Sequence, residues 1–559
     1  MENLEKYLVR FFWPITIAIC LPAVWALFVP GYFGASDDLH VAWLYEMDKV
    51  IHLGQFPPRF VPDLSYQFGY PLFNFVFPLP FYLGEVFHLL GLNFVDSVKA
   101  VFLISVPLSF IFMYKLLKEF TTPILSLAGA TIYIYTPYRA TDLYVRGAIG
   151  EILSFVFFPL ICLSFIKIFT ERKLKWIAIG GISIAGLTLT HNIAAYMFLP
   201  TMVLLGAILI FFTSRKIDMG IRFLITLILG MLISIYFWLP AIIDSKLMKF
   251  DTVFNFIDHF PTLKQLIVPY WGYGASVPGP YDGMSFFIGI FNWILVFGGL
   301  TIIFFKWRKI DLNTKIMVSW VYVVFLITIF LMNFRSAFLW ESIPNLAYFQ
   351  FPWRFLMLTT FITPLLIIVF NKVKLKQKWI YFLVIILVIG VNSFQFRPQD
   401  FLGRDDQYYL NKYIPFPEAS PEYKLTQEEY LRLPVNTLVR PAKIYPPSWI
   451  ENNAAVNGNQ NGLNADITTN FSQTQNLSYN KYNFPGWIAN IDGNRVEIKS
   501  GQPFGQVTTL VPAGNHKIEF KFEETAFKLL LDITSLFSLV VAILLAASPY
   551  FNLRKKQDV

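Results

Sequence analysis

Residues 34–82 read GASDDLHVAWLYEMDKVIHLGQFPPRFVPDLSYQFGYPLFNFVFPLPFY and directly follow the first strongly apolar run of the chain. Asp37 and Asp38 are adjacent in this segment, and His40 follows two residues later. Because the preceding run, which extends to about Pro30, is long enough to cross a bilayer, we expect the two carboxylates and the imidazole to emerge at a membrane surface.

The composition places the chain among membrane proteins. Of its 559 residues, 55% are hydrophobic and 18% aromatic, and the mean hydropathy is +0.53. That much apolar surface does not fit in one water-soluble core, so we predict a polytopic membrane protein. The net charge of +9 comes from short basic clusters between apolar runs, which indicates topology signals and no nucleic-acid partner. Cys20 and Cys162 lie inside apolar runs and imply neither a disulfide nor a zinc framework.

The apolar runs predict a helix bundle with about twelve transmembrane spans. After the first run, the candidate spans are 98–118, 122–136, 150–168, 176–191, 193–213, 223–243, 285–305, 316–333, 352–370, 379–394 and 527–548. The segment Pro71–Gly91 is apolar but contains Pro78 and Pro80, and we interpret it as an interfacial or re-entrant helix. Residues 1–395 therefore form a transmembrane domain whose first external loop is 31–97.

The loops between these runs alternate between strongly basic and nearly neutral, and this alternation predicts on which side of the membrane each loop lies. Basic clusters occur around Lys115, Lys167, Arg215, Lys306 and Lys374, and in a tail that contains Arg554, Lys555 and Lys556. The positive-inside rule then predicts a multi-pass cell-membrane protein with both termini in the cytoplasm.

Residues 396–525 differ in composition, being rich in Asn, Gln, Ser, Thr, Tyr and Pro. Short alternating segments near the end of this region, with turns at Asp492-Gly493 and Ala513-Gly514, predict β-hairpins in a small sandwich. The Asn/Gln-rich stretch Asn452–Asn476 suggests a mobile loop. We expect an extracytoplasmic β-rich domain, followed at 526–559 by the last span and a basic cytoplasmic tail.

The acidic pair also suggests a local structure. Ser36 is suited to cap a helix that begins near Asp37, and Asp37 and His40 would then share a face. The apolar stripe of that helix consists of Leu39, Trp43, Met47, Val50 and Ile51. Either aspartate alone could simply complete the cap, whereas the pair ahead of His40 favours a functional role.

Other polar residues fall at the predicted outer ends of spans. The stretch TPYRATDLYVRGAIGE places Arg139, Arg146 and Glu151 at one membrane edge, and LTHN places His191 at another. Unpaired, such groups would cost a few kcal/mol in hydrocarbon, about 2.5–3.5 for a charged residue, so we expect them to face a polar cavity. Glu151 could instead pair with Arg146 and only close the bundle.

Arg59 in GQFPPRF and Arg354 in FQFPWRF lie among aromatic residues and prolines. A guanidinium group can donate two parallel hydrogen bonds to a phosphate. Either residue could instead extend to lipid headgroups. Together with Arg139 and Arg146, they are candidates to bind a lipid phosphate.

Several motifs taken together resemble a known family. The first span, the acidic pair with histidine, GQFPPRF, YQFGYPLFNFVFPLPFY, TPYRATDLYVRGAIGE, LTHN and YNFPGWIANIDG…VPAGNHKIEF occur in this order. This arrangement resembles bacterial membrane proteins of the GT-C glycosyltransferase superfamily, in the subgroups labelled 6-pyruvoyl-tetrahydropterin-synthase-related and YfhO-like. The resemblance covers most of the chain.

The resemblance implies a membrane glycosyltransferase that acts at the outer face of the membrane. Its donor would be a sugar on a polyprenyl phosphate, and its acceptor a hydroxyl group of a glycan, lipid or protein in the cell envelope. The acidic residue of the first external loop would act as general base, which maps to Asp37 first and Asp38 second, with His40 orienting it. The substrate- or phosphate-binding candidates are Arg59, Arg139, Arg146, Glu151, His191 and Arg354.

Some members of that superfamily use a divalent metal, Mg²⁺ or Mn²⁺. Asp37, Asp38 and His191 could supply ligands, although no spacing in the sequence requires a metal site. Two other functions remain open from the sequence: a transporter or flippase of lipid-linked saccharides, and a non-catalytic membrane protein whose β domain binds cell-envelope glycans.

Overall fold

A computed structural model describes residue 8 and residues 10–250, 255–373, 379–415, 418–426, 431–450 and 454–554. A bundle of apolar helices is followed by a β domain and one last long helix. The predicted fold class, a mainly helical membrane bundle with a β-rich domain near the C-terminus, is confirmed.

We number the described helices of eight or more residues in chain order. They are α1 Phe12–Val24, α2 His40–His52, α3 Leu79–Leu89, α4 Phe94–Lys118, α5 Pro123–Ile134, α6 Ile149–Thr170, α7 Leu174–Thr190, α8 Asn192–Phe212, α9 Lys216–Ile233, α10 Ile235–Asp244, α11 Ile290–Lys306, α12 Leu312–Met332, α13 Pro352–Phe370, α14 Trp379–Asn392, α15 Asp406–Tyr413 and α16 Ala526–Arg554. Helix α13 joins α-helical and 3-10 segments.

Seven helices in the described part of the chain are long and apolar enough to cross a membrane: α4, α6, α8, α11, α12, α13 and α16. Helices α9 and α10 form an eighth if this pair, bent by 68°, is one span. Helices α1, α5, α7 and α14 are apolar but shorter. Every predicted span coincides with one of these helices, whereas the count of about twelve is not confirmed because four of the helices are short.

Three spans define the two ends of the bundle. Helices α6, α8 and α13 begin beside Glu151, His191 and Arg354, and we call this the site end. Their other ends, near Lys167 and Lys372, form the basic end. Lys374, Lys376, Lys378, Lys555 and Lys556, which the sequence assigned to basic clusters, lie outside the described residues.

The segment after α1 departs from the prediction. The backbone N–H groups of Ser36 and Asp37 donate to the carbonyls of Val145 and Arg146, at 3.1 and 2.7 Å. Both residues therefore belong to a loop, and the helix begins only at His40. Ser36 does not cap α2, and Asp37 does not share a helix face with His40, because a distant segment binds their backbone instead.

The β domain contains two antiparallel sheets. The strands are β1 Ser448–Trp449, β2 Gly458–Asn461, β3 Asn464–Phe471, β4 Gln475–Tyr482, β5 Trp487–Ile491, β6 Asn494–Val496, β7 Lys499–Gly501, β8 Gln506–Val511 and β9 Gly514–Phe522. Their orders are β1-β4-β8-β7 and β2-β3-β9-β5-β6. Leu477, Val507, Ile518 and Phe520, all fully buried, belong to the domain's core.

Two turn predictions have different outcomes. The turn at Asp492-Gly493 joins β5 and β6 as a hairpin, as predicted. Ala513-Gly514 instead connects β8 to β9 in the other sheet, so it is not a hairpin turn. The Asn/Gln-rich stretch was expected to be a loop, but β2 and β3 lie within it and pair with each other. The polar side chains of β3 alternate with buried Ala465, Ile467 and Thr469, and residues 452 and 453 lie outside the described residues.

The β domain and its leading segment contact the loop around α2. Tyr482 donates its N–H to the Phe68 carbonyl at 2.8 Å, and the Lys481 ammonium donates to the Gln67 carbonyl at 2.6 Å. At the other end of the loop, Tyr32 pairs with Arg404 through a 2.8 Å backbone hydrogen bond. The close approach of Gly31 to Gly403 leaves no room for a Cβ atom at Gly31.

Arg59 joins the same loop to the last span. Its guanidinium pairs with Glu524 and with Asp532, the latter at 2.7 Å, and donates to the Tyr236 carbonyl at 3.0 Å. Arg59 is 1% exposed. Two carboxylates and a carbonyl of the protein occupy its donors, so the structure shows Arg59 as a link between the loop and the last helix, and its binding of a phosphate stays a prediction.

We expect Arg59→Ala to destabilise the purified protein strongly. Removing one partner of a buried ion pair leaves the remaining charges uncompensated and costs about 3–5 kcal/mol. The measurement is thermal unfolding in detergent. Lys517→Ala, which removes an exposed ion pair with Glu519, serves as the control and should not change the midpoint; equal midpoints for the two variants would contradict a stabilising role for Arg59.

Candidate functional site

The loop that precedes α2 and contains Asp37 and Asp38, which we call the acidic loop, lies along the turn Thr141–Arg146. This turn joins the α5 region to α6. Gly147 ends this turn with φ +71°, and a Cβ atom there would lie 2.9 Å from the Ala35 Cβ. Glycine is therefore required for both the left-handed backbone and the close approach. This contact places Asp37 beside Arg146, although 109 residues separate the two in sequence.

Arg146 is the centre of a buried cluster of charges. Its Nη1 lies 2.7 Å from Asp142 Oδ1 and 2.8 Å from Glu151 Oε2, and its Nη2 lies 4.0 Å from Asp37 Oδ2. The Tyr138 hydroxyl donates to Glu151 Oε2 at 3.0 Å. Glu151 is 1% exposed, so the arginine supplies the charge that its carboxylate needs.

Arg354 reaches the same carboxylate from α13. Its Nε lies 3.3 Å from Glu151 Oε1, and its Nη1 donates to the Phe349 carbonyl at 3.1 Å and to the Gln350 side chain. The neighbouring Trp353 ring lies beneath Arg146, with 4.9 Å between the guanidinium carbon and the ring centroid. The structure therefore holds two guanidinium groups on one carboxylate and supports them with aromatic and backbone contacts.

His191 lies at the junction of α7 and α8. Its Nδ1 accepts the Ala194 N–H at 3.0 Å and so caps α8. In the neutral ring the remaining proton is therefore on Nε2. The ring lies 5.1 Å from that of Phe77, and Gly150 leaves the space that Phe77 fills.

Asp37 is the carboxylate of the cluster that solvent reaches best, with a side chain 40% exposed compared with 1% for Glu151. Desolvation by the surrounding protein raises the pKa of Asp37 above its ordinary value; Arg146 opposes the shift and Glu151 adds to it. A carboxylate with a raised pKa is a better proton acceptor at neutral pH. Asp37 is therefore the member of the cluster best suited to act as a base.

Asp38 has a different environment. It is 4% exposed, accepts a hydrogen bond from Lys412 Nζ at 2.7 Å, and accepts another from the Tyr413 hydroxyl. Both donors belong to α15, so Asp38 fixes the acidic loop to that helix.

His40 lies against aromatic rings, with centroids 5.8 Å from both Trp43 and Phe81. It is 5% exposed. Burial lowers the pKa of His40 to about 4, against the opposing influence of Asp38 and the Gly147 backbone. The ring is therefore neutral at pH 7.

Arg139 is not part of the cluster. Its Nη2 donates to Ser109 Oγ at 2.9 Å, and its guanidinium carbon lies 4.6 Å from the centroid of Phe155. The residue is 1% exposed within the bundle. The side chain packs among α4, α5 and α6, and its binding of a phosphate stays a prediction.

Sequence reasoning missed several residues that position the site. Tyr138 lies in the same quoted stretch as Arg146, and Trp353 directly precedes Arg354, so both could have been found by proximity in sequence. Lys412 and Tyr413 gave no such signal, because they are 374 and 375 residues from Asp38 in sequence.

The three residues suggested as metal ligands do not suit that role together. The Asp38 oxygens are bonded to Lys412 and Tyr413, and His191 Nδ1 accepts a backbone N–H. Within the described ranges, no group of three or more His, Cys, Asp or Glu side chains could hold a metal ion. We therefore derive no step through a metal.

Comparisons with known proteins give weak similarities. No family model matches the chain. An uncharacterised protein of Lactococcus lactis subsp. cremoris strain MG1363 is 26% identical over 211 residues, which are 36% of this chain and 34% of that protein. The match thus spans about a third of the relative's length.

Two solved structures are similar at low identity. Arabinofuranosyltransferase AftD from mycobacteria is 14% identical with a TM-score of 0.45, covering 70% of this chain and 27% of that one. The Archaeoglobus fulgidus oligosaccharyltransferase is 13% identical with a TM-score of 0.42, covering 75% of this chain and 60% of that one. Both structures extend well beyond the matched region.

The buried neutral state of His40 predicts a pH dependence of stability. Since the pKa falls from 6.5 to about 4 on folding, the unfolded chain binds more protons between these values. The stability contributed by the neutral His40 is therefore fully present above pH 6.5. It is lost as the pH falls toward 4, which lowers the free energy of unfolding by about 3 kcal/mol in total.

The check is thermal unfolding of wild type and His40→Gln in detergent at pH 7 and pH 4.5. Carboxylates titrate in both proteins, so the difference between them isolates the histidine. The variant should lose less stability on acidification; parallel losses would show that His40 is not buried in its neutral form.

Proposed function

We propose that the protein is a membrane glycosyltransferase of the GT-C type, which transfers a sugar from a polyprenyl-phosphate donor to an acceptor hydroxyl at the outer face of the membrane. The observation that carries this proposal is the meeting of a partly exposed carboxylate, Asp37, with the guanidinium groups of Arg146 and Arg354 around Glu151. The order of motifs along the sequence supports it.

The acceptor side of the reaction needs a base. A hydroxyl group attacks poorly until its proton is removed, and Asp37 can take that proton as the new bond forms to the anomeric carbon. Asp142 and Glu151 are buried and paired closely with Arg146. Asp37 is partly exposed to solvent, and its Oδ2 lies 4.0 Å from Arg146 Nη2. We assign Asp37 as general base and Asp38 as the residue that fixes its loop.

The donor side needs positive charge. When the bond between the anomeric carbon and the phosphate oxygen breaks, its electron pair remains on the phosphate, whose charge grows. In this proposal Arg146 and Arg354 stabilise that charge, and their existing contacts hold them in place before the reaction. Attack from the side opposite the phosphate would invert the anomeric configuration.

Asp37→Asn should reduce sugar transfer by at least about 100-fold, since general bases contribute about 10²–10⁴-fold to rate. In the wild type, the rate should fall as the pH drops through the raised pKa of Asp37. The measurement is transfer of radiolabelled sugar by membranes that contain the full-length protein.

Asp96→Asn is the matched control for that experiment. Asp96 pairs with Lys99 and its side chain is 43% exposed, so it offers a similarly accessible carboxylate outside the cluster. Equal transfer by the two variants would eliminate the assigned base, and movement of lipid-linked saccharide in proteoliposomes without a covalent product would favour the flippase.

Arg354→Gln should raise the KM for the lipid-linked donor by about 10-fold or more, because a hydrogen bond to a charged group contributes about 1.5–3 kcal/mol. Arg354→Lys keeps the charge but not the planar geometry, so its KM for the donor should lie between the values of wild type and Arg354→Gln.

Arg335→Gln changes an exposed arginine in the turn Phe334–Ser336 and should behave as wild type. If the KM values for donor of Arg354→Gln and Arg335→Gln are equal, Arg354 does not bind the donor phosphate.

A further inference from the structure

A cavity lies at the basic end of the bundle. Its volume is about 500 Å³, within the range of sites that bind small molecules. It is lined by the ends of α6, α8 and α13 and by the start of α12. None of the residues assigned above to catalysis or donor binding lines it.

The cavity lies far from the candidate site along the same spans. Helix α6 runs for 22 residues from Ile149, beside Glu151, to Thr170 at the cavity, which corresponds to about 33 Å. That distance is close to the thickness of the hydrocarbon core of a bilayer, about 30 Å. The candidate site and the cavity therefore lie at opposite ends of helices that are long enough to cross a bilayer.

The walls of the cavity change from apolar to charged. Trp320, which is fully buried, donates its indole N–H to the Thr201 carbonyl at 2.9 Å and closes α12 against α8 at mid-span. Beyond this contact, Leu205 and Leu209 of α8 and Ile316 of α12 form an apolar wall.

At the mouth, charged side chains occur in pairs of opposite sign. Lys372 Nζ lies 3.3 Å from Asp311 Oδ2, and Glu119 Oε2 lies 2.6 Å from Lys167 Nζ. Glu119, Asp311 and Lys372 all line the cavity. The mouth thus offers both acceptors for a cation and a donor for an anion, above an apolar interior.

We propose that this cavity binds a zwitterionic phospholipid with a primary ammonium headgroup, as in phosphatidylethanolamine, from the leaflet opposite the candidate site. The lipid phosphate would accept from Lys372, the ammonium would donate to Asp311 and Glu119, and part of an acyl chain would lie along Leu205 and Leu209. The site is separate from the proposed transfer reaction and does not depend on it.

The charges favour this occupant over a polyanion. At the mouth, Lys372 and Lys167 are each paired with a carboxylate, so these pairs leave no excess of positive charge for a nucleotide or a sugar diphosphate. The phosphate of an anionic lipid such as phosphatidylglycerol could bind Lys372, but its headgroup has no ammonium to bind Asp311 and Glu119. A soluble headgroup without an acyl chain would leave the apolar wall of the cavity uncovered.

The test is native mass spectrometry of the full-length, delipidated protein with dioleoyl phosphatidylethanolamine or dioleoyl phosphatidylglycerol. We expect one bound phosphatidylethanolamine with at least 5-fold preference over phosphatidylglycerol. Leu209→Trp fills the cavity and should reduce binding at least 5-fold. Leu224→Trp adds the same bulk on the exposed side of α9 and should leave binding unchanged.

Asp311→Asn provides a second variant that preserves the fold. Asp311 caps α12 by accepting the Thr314 N–H at 3.0 Å, and asparagine caps equally well while removing the charge. This variant should lose the preference for phosphatidylethanolamine. Equal binding of the two lipids by wild type, an unchanged preference in Asp311→Asn, or equal effects of the two tryptophan variants would each overturn the proposal, whatever the outcome of transfer assays.

Discussion

Arg146 is the residue on which the arrangement of the site depends. Its guanidinium binds Asp142 and Glu151, its carbonyl accepts the N–H of Asp37, and its planar face lies over Trp353. Buried carboxylates at the start of a span are costly unless they are paired, so the pairing with Arg146 is what permits acidic residues there. The same residue brings the acidic loop, the turn before α6 and α13 together.

The two adjacent aspartates have different environments, one that anchors the loop and one that stays accessible. Asp38 is buried and anchored to Lys412 and Tyr413 of α15, whereas Asp37 remains accessible beside the arginines. Helix α15 also binds the start of α4, because the Asp406 carboxylate accepts the N–H groups of Phe94 and Val95. Helix α15, which precedes the β domain, therefore connects the acidic loop to α4 of the bundle.

The sequence predicted those features that follow from local pattern. Apolar runs located the helices, and the polar residues expected at the outer ends of those runs included Arg146, Glu151 and Arg354, which the structure brings into one cluster with Asp37. Features that depend on distant partners were missed: α2 begins at His40 because Arg146 and Val145 bind the preceding backbone, and Arg59 and Arg139 meet carboxylates or aromatic rings that no spacing reveals. The β8–β9 turn was misassigned because a turn motif does not show which sheet the next strand joins.

The most direct test of the central claim, that Asp37, Arg146 and Arg354 form one ligand site, is an experimental structure of the full-length protein with a short-chain polyprenyl phosphate. We expect phosphate density within hydrogen-bonding distance of Arg146 or Arg354, with the Asp37 carboxylate facing the same space. Phosphate density elsewhere, with these three side chains in contact only with each other, would contradict it.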